Sequence, residues 1–165
     1  MEIHTVEGFV SYYEKTRQIT NAVINVIPKD NMDWAYMTGK FTIADLVRHL
    51  ASIERDVFAE TALGGKSRYK GCGKELADGY DNIISYFNRM HEESINIFRS
   101  LHDASLNDMV WSVDGREIEL RSFLRALIVH EIHHRAALCI YLNLLGIETP
   151  PIIGLKEEDV IELSK

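Results

Sequence analysis

The sequence is poor in the features that mark secreted, membrane-bound or nucleic-acid-binding proteins. It has 3 prolines, 2 cysteines and a net charge of −7, with 18 basic residues against 25 acidic ones. Nucleic-acid phosphates and anionic membranes repel an acidic chain, so neither is expected as a main partner. Cys72 and Cys139 lie far apart and in unlike contexts. This argues against a disulfide framework and against a cysteine metal site.

Long apolar runs are also missing. No run approaches the roughly 18 residues of a membrane span, and the first residues lack the basic start and apolar core of a secretory signal. We therefore expect a cytoplasmic protein that acts on a small molecule. At 165 residues, 46% of them hydrophobic, residues 1–165 are expected to fold as one domain.

Four segments carry apolar residues at steps of three and four, the spacing of amphipathic helices. The pattern predicts helices over roughly 5–27, 42–64, 75–102 and 119–145. Thr42 and Asp45 have the spacing of a capping box, and Gly146 stands where a left-handed helix cap is favoured. Strand-like alternation is nearly absent, although Asp114-Gly115 is a hairpin-turn signal. We expect an all-α, four-helix bundle.

The connection between the second and third helices bears on their direction. Residues 64–74 can extend to about 35 Å, which is roughly the length of a 20-residue helix. This permits the two helices to run parallel, in up-down-down-up order, whereas up-down-up-down order needs only a short turn. The loop carries Lys66, Arg68, Lys70 and Lys74. The favoured interpretation is a solvated crossing, and the alternative is an anchor for an anionic substrate.

The stretch HEIHH, residues 130–134, is the strongest chemical signal. His130 and His134 are four residues apart, about 40° around a helix, so both imidazoles can reach one ion. His49 lies on the apolar face of the second helix. A lone histidine at such a position is more often a hydrogen-bonded core residue than a metal ligand. Two inward imidazoles favour a divalent ion, because each offers it a lone pair.

His130-Glu131-x-x-His134 also satisfies the short zinc-metalloprotease pattern. A protease of that class needs a sheet and a third downstream ligand, and neither is evident in the 31 residues that follow His134. A zinc hydrolase using this motif stays as a second alternative. Glu131, about 100° from His130, is expected to be a surface or interface carboxylate rather than a general base. His133, about 60° to the other side, can support the metal ligands from outside.

Three further histidines are given structural roles. His91 lies in the apolar seam of the third helix. The favoured interpretation is a core histidine whose hydrogen bonds are satisfied, and the alternative is a group that faces the metal. His4 and His102 are expected at the surface.

The sequence resembles the DinB/YfiT-like family of metal-dependent enzymes over nearly its whole length. The matching segments are Trp34, Gly39-Lys40-Phe41-Thr42-Ile43, Arg48-His49-Leu50 and His133-His134-Arg135-Ala136-Ala137. In the family the last run ends in glycine and glutamine, where this chain has Ala136 and Ala137. Carried over by position, the resemblance implies that His49, His130 and His134 are the metal ligands.

The resemblance also implies a homodimer and reactions assisted by low-molecular-weight thiols such as bacillithiol or mycothiol. A row of apolar residues on the first helix, Tyr12, Ile19 and Val26, can either serve that dimer or complete the core. Nitrogen ligands suit several metals, of which zinc is expected first and nickel second. Three neutral imidazoles leave the ion its full charge and an open position.

Two classes of function stay open. The leading hypothesis is an enzyme that activates a thiol or water for attack on a small electrophile. The alternative is a non-catalytic dimeric binding module whose metal site is structural or vacant.

Overall fold

The structure is a computed structural model that describes residues 2–151 and 154–165. Its elements, in chain order, are α1 (Val6–Ile24), α2 (Ile43–Ile53), α3 (Glu60–Ala62), α4 (Tyr80–Arg99), β1 (Met109–Trp111), β2 (Glu117–Glu119), α5 (Leu120–Leu144) and α6 (Glu157–Leu163). A π-helical stretch, Glu54–Ala59, joins α2 to α3 without a break. The bundle is therefore built from α1, the continuous α2–α3 segment, α4 and α5.

Local capping explains where two of the helices begin. Thr42 accepts a hydrogen bond from the Asp45 amide at 3.0 Å, and Asp45 accepts one from the Thr42 amide at 2.9 Å. The predicted capping box is confirmed. The predicted start of the third helix at residue 75 is wrong, because α4 begins at Tyr80 after Gly79. Gly79 has φ 78°, a left-handed conformation that glycine tolerates and that interrupts a helix.

Two apolar clusters fix the directions of the helices. The first joins the early half of α1 to the late part of the α2–α3 segment, the end of α4 and the early half of α5, through Phe9, Phe58, Phe98 and Phe123. The second joins the opposite halves, through Val23, Leu46, Phe87 and Leu138. Hence α1 and α5 run parallel to each other and opposite to α2 and α4. The up-down-down-up bundle is confirmed.

The crossing loop, residues 64–79, is tied to α2 by a buried arginine. Arg48 donates from Nε to the Cys72 carbonyl at 2.7 Å and from Nη1 to the Ala77 carbonyl at 3.0 Å. Its Nη2 pairs with Asp45 at 2.6 Å. The fully buried guanidinium is thus satisfied by the loop, and it fixes that loop beside the helix that carries His49.

The ends of the bundle carry two smaller features. The predicted turn at Asp114-Gly115 is confirmed, because β1 and β2 pair antiparallel around it, with Val110 opposite Ile118. Val110 is buried in the first cluster. Helix α6 was not expected from the sequence, and all of its residues are exposed. Within the described ranges, no helix combines the length and apolarity needed to cross a bilayer.

Candidate metal centre

Three histidines from two antiparallel helices meet in the middle of the bundle. His49 comes from α2, and His130 and His134 come from α5, each between residues of the two apolar clusters. Each side chain offers a nitrogen, and these three nitrogens lie within 4.8 Å of one another. The helical spacing of His130 and His134 does bring both onto the face that meets His49, as the sequence predicts.

The spacing of the nitrogens suits a common ligand. His49 Nε2 and His130 Nε2 are 3.1 Å apart. Two nitrogens each about 2.1 Å from one ion in a tetrahedral site stand about 3.4 Å apart. The ring centroids of His134 lie 4.6 Å from His49 and 4.4 Å from His130. No carboxylate or thiol of the described residues belongs to this group. The donor set is therefore three imidazoles.

The site holds the imidazoles in their neutral form. Burial, followed by the neighbouring histidines, lowers the pKa of His130 to about 3 and that of His134 to about 4. Burial also lowers the pKa of His49. A neutral imidazole keeps the lone pair that a metal requires. These residues fit a divalent ion.

Tyr69 of the crossing loop holds the outer nitrogen of His49. Its hydroxyl lies 2.9 Å from His49 Nδ1. If Nε2 faces the cluster, Nδ1 carries the proton and donates to the tyrosine oxygen, which fixes the tautomer that leaves Nε2 free. Burial raises the pKa of Tyr69 above its ordinary range, so the hydroxyl stays neutral. Phe41 covers another side of the His49 ring at a centroid distance of 5.4 Å.

Glu131 does not lie at the surface, and that prediction is wrong. Its side chain is completely buried, and its Oε2 lies 3.0 Å from Arg17 Nη2 of α1. The contact is an ion pair by distance and not a hydrogen bond, because neither Glu131 oxygen has a hydrogen-bond partner among the described residues. The turn of about 100° from His130 points Glu131 toward α1 instead of solvent. Burial alone would lower the pKa of Arg17, but Glu131 and Glu54 together raise it above its ordinary value. The carboxylate of the HExxH pattern is thus engaged by a buried cation.

The same arginine connects all four helices of the bundle. Arg17 also pairs with Glu54 of the π-helical stretch and donates to the Tyr13 hydroxyl at 2.9 Å. Glu54 Oε1 in turn lies 2.8 Å from Nδ1 of His91 on α4. The expected hydrogen bond of His91 is confirmed, but its side chain is only partly buried, and His91 does not belong to the three-histidine group.

The other histidines lie on the outside. His133 is exposed, and its only ring contact among the described residues is with His134, at a centroid distance of 4.9 Å. His4 and His102 are exposed, as expected. None of the three belongs to the central group.

Sequence patterns missed Arg17, Glu54 and Tyr69. Arg17 and Glu54 gave a usable signal, because each is a charged residue on the buried side of an amphipathic helix. Tyr69 gave no such signal, because a loop has no periodicity that would place its side chain against His49.

Comparisons with known proteins agree with this architecture. A family model described as the DinB superfamily matches residues 12–138. The uncharacterized protein YjoA of Bacillus subtilis is 24% identical over 139 residues, spanning 83% of this chain and 88% of YjoA. The solved structure of YjoA superposes with a TM-score of 0.70 at 22% identity, covering 88% of this chain and 96% of that one.

Two other solved structures share the fold. YfiT from Bacillus subtilis, described as a probable metal-dependent hydrolase with an unusual four-helix bundle topology, has a TM-score of 0.68 at 17% identity. The match covers 87% of this chain and 89% of YfiT. A mycothiol-dependent maleylpyruvate isomerase has a TM-score of 0.63 at 11% identity, with 81% of this chain and 60% of that one covered. Given the family-model match over most of its length, the chain belongs to the DinB superfamily.

Proposed function

We propose that the protein is a metal-dependent enzyme in which His49, His130 and His134 hold one divalent ion, with zinc as the first candidate and nickel as the second. The observation that carries the proposal is the meeting of three imidazole nitrogens within 4.8 Å with no acidic or thiol side chain of the described residues among them. A divalent ion bound there would supply an open position that lowers the pKa of a bound thiol or water.

The residues around the site favour activation of a thiol over the activation of water that a zinc protease performs. In the protease motif the glutamate must act on the water as a base, but Glu131 is buried against Arg17. A thiol needs less help, because its ordinary pKa of about 8.5 is already near neutrality. The similarity in fold to a mycothiol-dependent isomerase supports this choice. We propose transfer of a low-molecular-weight thiol to a small electrophile in the cytoplasm.

Hydrolysis by the same site is the second candidate. The description of YfiT as a probable metal-dependent hydrolase supports it. The two candidates differ in whether a thiol is consumed. With an aryl chloride, thiol transfer forms a carbon–sulfur bond, breaks the carbon–chlorine bond and releases chloride and a proton. Hydrolysis proceeds without thiol, so omission of thiol distinguishes them.

The test of the metal site is metal content after loading with Zn²⁺ or Ni²⁺ and removal of excess. His49→Ala, His130→Ala and His134→Ala should each lose the metal, because each removes one of three ligands. His133→Ala is the matched control within the same stretch and should keep it. The proposal is wrong if wild-type protein takes up no stoichiometric metal, or if His49→Ala keeps it.

Glu131→Gln separates the proposal from the protease alternative. We expect this variant to bind metal normally and the wild-type protein to show no peptidase activity. A measurable peptidase activity abolished by Glu131→Gln, together with unchanged metal in His49→Ala, would instead support a site built on the HExxH pattern.

We also propose that two copies pair through the outer faces of α1 and α5. Tyr12 and Val26 of the predicted α1 row are exposed and do not complete the core, while Ile19 is half-buried. The parallel helix α5 adds a longer exposed apolar stripe, formed by Val129, Ile132, Ile140 and Leu144. An exposed apolar stripe of this kind is typical of a protein–protein contact.

A further inference from the structure

A pocket of about 850 Å³ lies between the crossing loop and the hairpin. Its walls are formed by Thr61 of α3, by Gly64, Gly65, Lys66, Ser67 and Tyr69 of the crossing loop, and by residues 109–113 of the hairpin. This volume is in the range of small-molecule sites, which are about 300–1,000 Å³. None of the three histidines lines this pocket.

The loop wall is held rigidly by Glu60 and Asp56. The Gly65 amide donates to the Glu60 carbonyl at 3.1 Å, and the Arg68 amide donates to the Asp56 carbonyl at 2.8 Å. Arg68 also pairs with the Glu60 carboxylate at 2.6 Å. A Cβ on Gly65 would lie 3.0 Å from the Glu60 carbonyl oxygen, so the loop approaches α3 as closely as a glycine allows. The wall is therefore preformed.

The two walls differ in chemistry. On the loop side, Lys66 is exposed, and no ion pair is formed by it within the described ranges. On the hairpin side, Met109, Trp111 and Val113 are 54%, 64% and 70% exposed. Large apolar side chains left in water beside an unpaired ammonium group suit a ligand with an apolar body and an anionic group.

Tyr69 belongs to both the pocket and the histidine site. It lines the pocket, and its hydroxyl lies 2.9 Å from His49 Nδ1. Val110 of the pocket and Phe58 belong to the same apolar cluster, and the ring of Phe58 lies 6.3 Å from that of His130. A ligand that touches Tyr69 is thus one side chain away from His49.

We propose that this pocket binds the electrophilic substrate as an amphipathic anion, with its apolar body against Met109 and Trp111 and its anionic group at Lys66. Tyr69 marks the end of the pocket that lies nearest the histidine site. The assignment as substrate rests on the proposed function, whereas the binding of such an anion does not. The apolar wall suits the electrophile better than a strongly polar thiol.

Trp111 makes the pocket directly observable. The other tryptophan, Trp34, packs against Tyr141 in the second apolar cluster, so Trp34→Phe leaves Trp111 as the sole indole. The probe is 8-anilinonaphthalene-1-sulfonate, an aromatic anion, titrated into the metal-loaded Trp34→Phe protein. We expect saturable quenching of Trp111 emission with energy transfer to the probe. Unchanged Trp111 emission would overturn the proposal.

Charge recognition is tested by a matched pair of lysines in one loop. Lys66→Met should weaken binding of the anionic probe about two- to fivefold, as expected for loss of an exposed charge contact. Lys70→Met should not, because Lys70 does not line the pocket. Uncharged N-phenyl-1-naphthylamine should bind both variants equally. Equal weakening of anion binding by the two substitutions, or by neither, would overturn the role of Lys66.

The link to the histidine site has a separate readout. In protein loaded with Co²⁺, binding of the anionic probe should alter the visible absorption of the metal, and Tyr69→Phe should reduce that change. Probe binding without any spectral change would overturn the assignment as substrate site while leaving the anion pocket intact. Failure of the metal proposal itself is recognised independently, by the absence of bound Zn²⁺, Ni²⁺ or Co²⁺ in protein that still binds the probe.

Discussion

The Arg17 guanidinium lies 3.0 Å from the Glu131 carboxylate, and both side chains are buried. Arg17 also pairs with Glu54, which contacts His91. Each of the four bundle helices, with the π-helical continuation of α2, therefore contributes at least one residue to a single polar network. Both carboxylates of the network pair with the same arginine. Removal of the arginine should therefore destabilise the network more than removal of either carboxylate.

Arg17→Met should destabilise the protein by about 3–5 kcal/mol, the usual cost of removing one partner from a buried ion pair. Methionine retains much of the arginine stem but leaves Glu54 and Glu131 without their cation. The measurement is urea unfolding of the metal-free protein. Lys15→Met is the matched control, because Lys15 is exposed on the same helix, and its unfolding midpoint should stay close to that of the wild type.

Glu131→Gln should be milder than Arg17→Met, at about 1–3 kcal/mol, because Arg17 keeps Glu54 while the new amide lacks a good partner. The same urea experiment measures it. If Glu131→Gln proved more destabilising than Arg17→Met, the arginine would not be the centre of the network.

Periodicity predicted the four helices and the shared face of His130 and His134, because both depend on positions within a helix. The length of residues 64–74 permitted the observed order of the helices, and His49 was identified as the third ligand only through the family resemblance. The four-residue step from His130 to His134 specifies a shared face wherever the helix packs. The direction of Glu131 could not be read in this way. A turn of about 100° leads either to solvent or to a neighbouring helix, and only the position of Arg17 on α1 decides between them.

The geometry of the crossing loop could not be predicted from the sequence either. The length of residues 64–74 permits a crossing, but the contact between Tyr69 and His49 depends on how Arg48 anchors the loop carbonyls. Helix α6 escaped prediction for a different reason. Its seven residues, Glu157–Leu163, bury no side chain, so no apolar face had to repeat at helical spacing.

The metal-free protein should lose stability as pH falls below about 6.5, the ordinary histidine pKa. In the folded protein, burial and the neighbouring histidines lower the pKa of His130 to about 3 and that of His134 to about 4. Between about pH 6.5 and pH 4 the unfolded chain therefore binds protons that the folded protein does not, and acid favours unfolding. Above about pH 6.5 these groups contribute no slope.

The measurement is the free energy of unfolding of the metal-free protein at pH 7.5 and pH 5.5. His134→Asn should reduce the decrease between the two values, because it removes one of the groups that take up a proton on unfolding. His4→Asn, at an exposed position, should leave the decrease unchanged. Equal decreases in wild type and His134→Asn would contradict the prediction.

Tyr69→Phe should weaken metal binding about 10- to 100-fold, the usual effect of losing a partner that orients a metal-bound imidazole. The substitution removes only the hydroxyl that faces His49 Nδ1. Competition for Zn²⁺ with a chromophoric chelator measures the affinity. Tyr12→Phe, on an exposed tyrosine of α1, serves as the control, and equal affinities for all three proteins would remove Tyr69 from the support of the site.

Ile140→Glu should convert the proposed dimer to a monomer. Ile140 is 59% exposed in the middle of the apolar stripe of α5. Burying an aliphatic side chain contributes about 1.5–3 kcal/mol, and a two-fold interface counts it twice, so its loss should weaken pairing at least about 100-fold.

Light scattering at micromolar concentration should give about twice the chain mass of 18.9 kDa for the wild type and a single mass for the variant. Val113→Glu, at a position that is 70% exposed but lies on the hairpin, should remain dimeric. A monomeric wild type would rule the dimer out, whereas a dimeric Ile140→Glu protein would place its interface on another face.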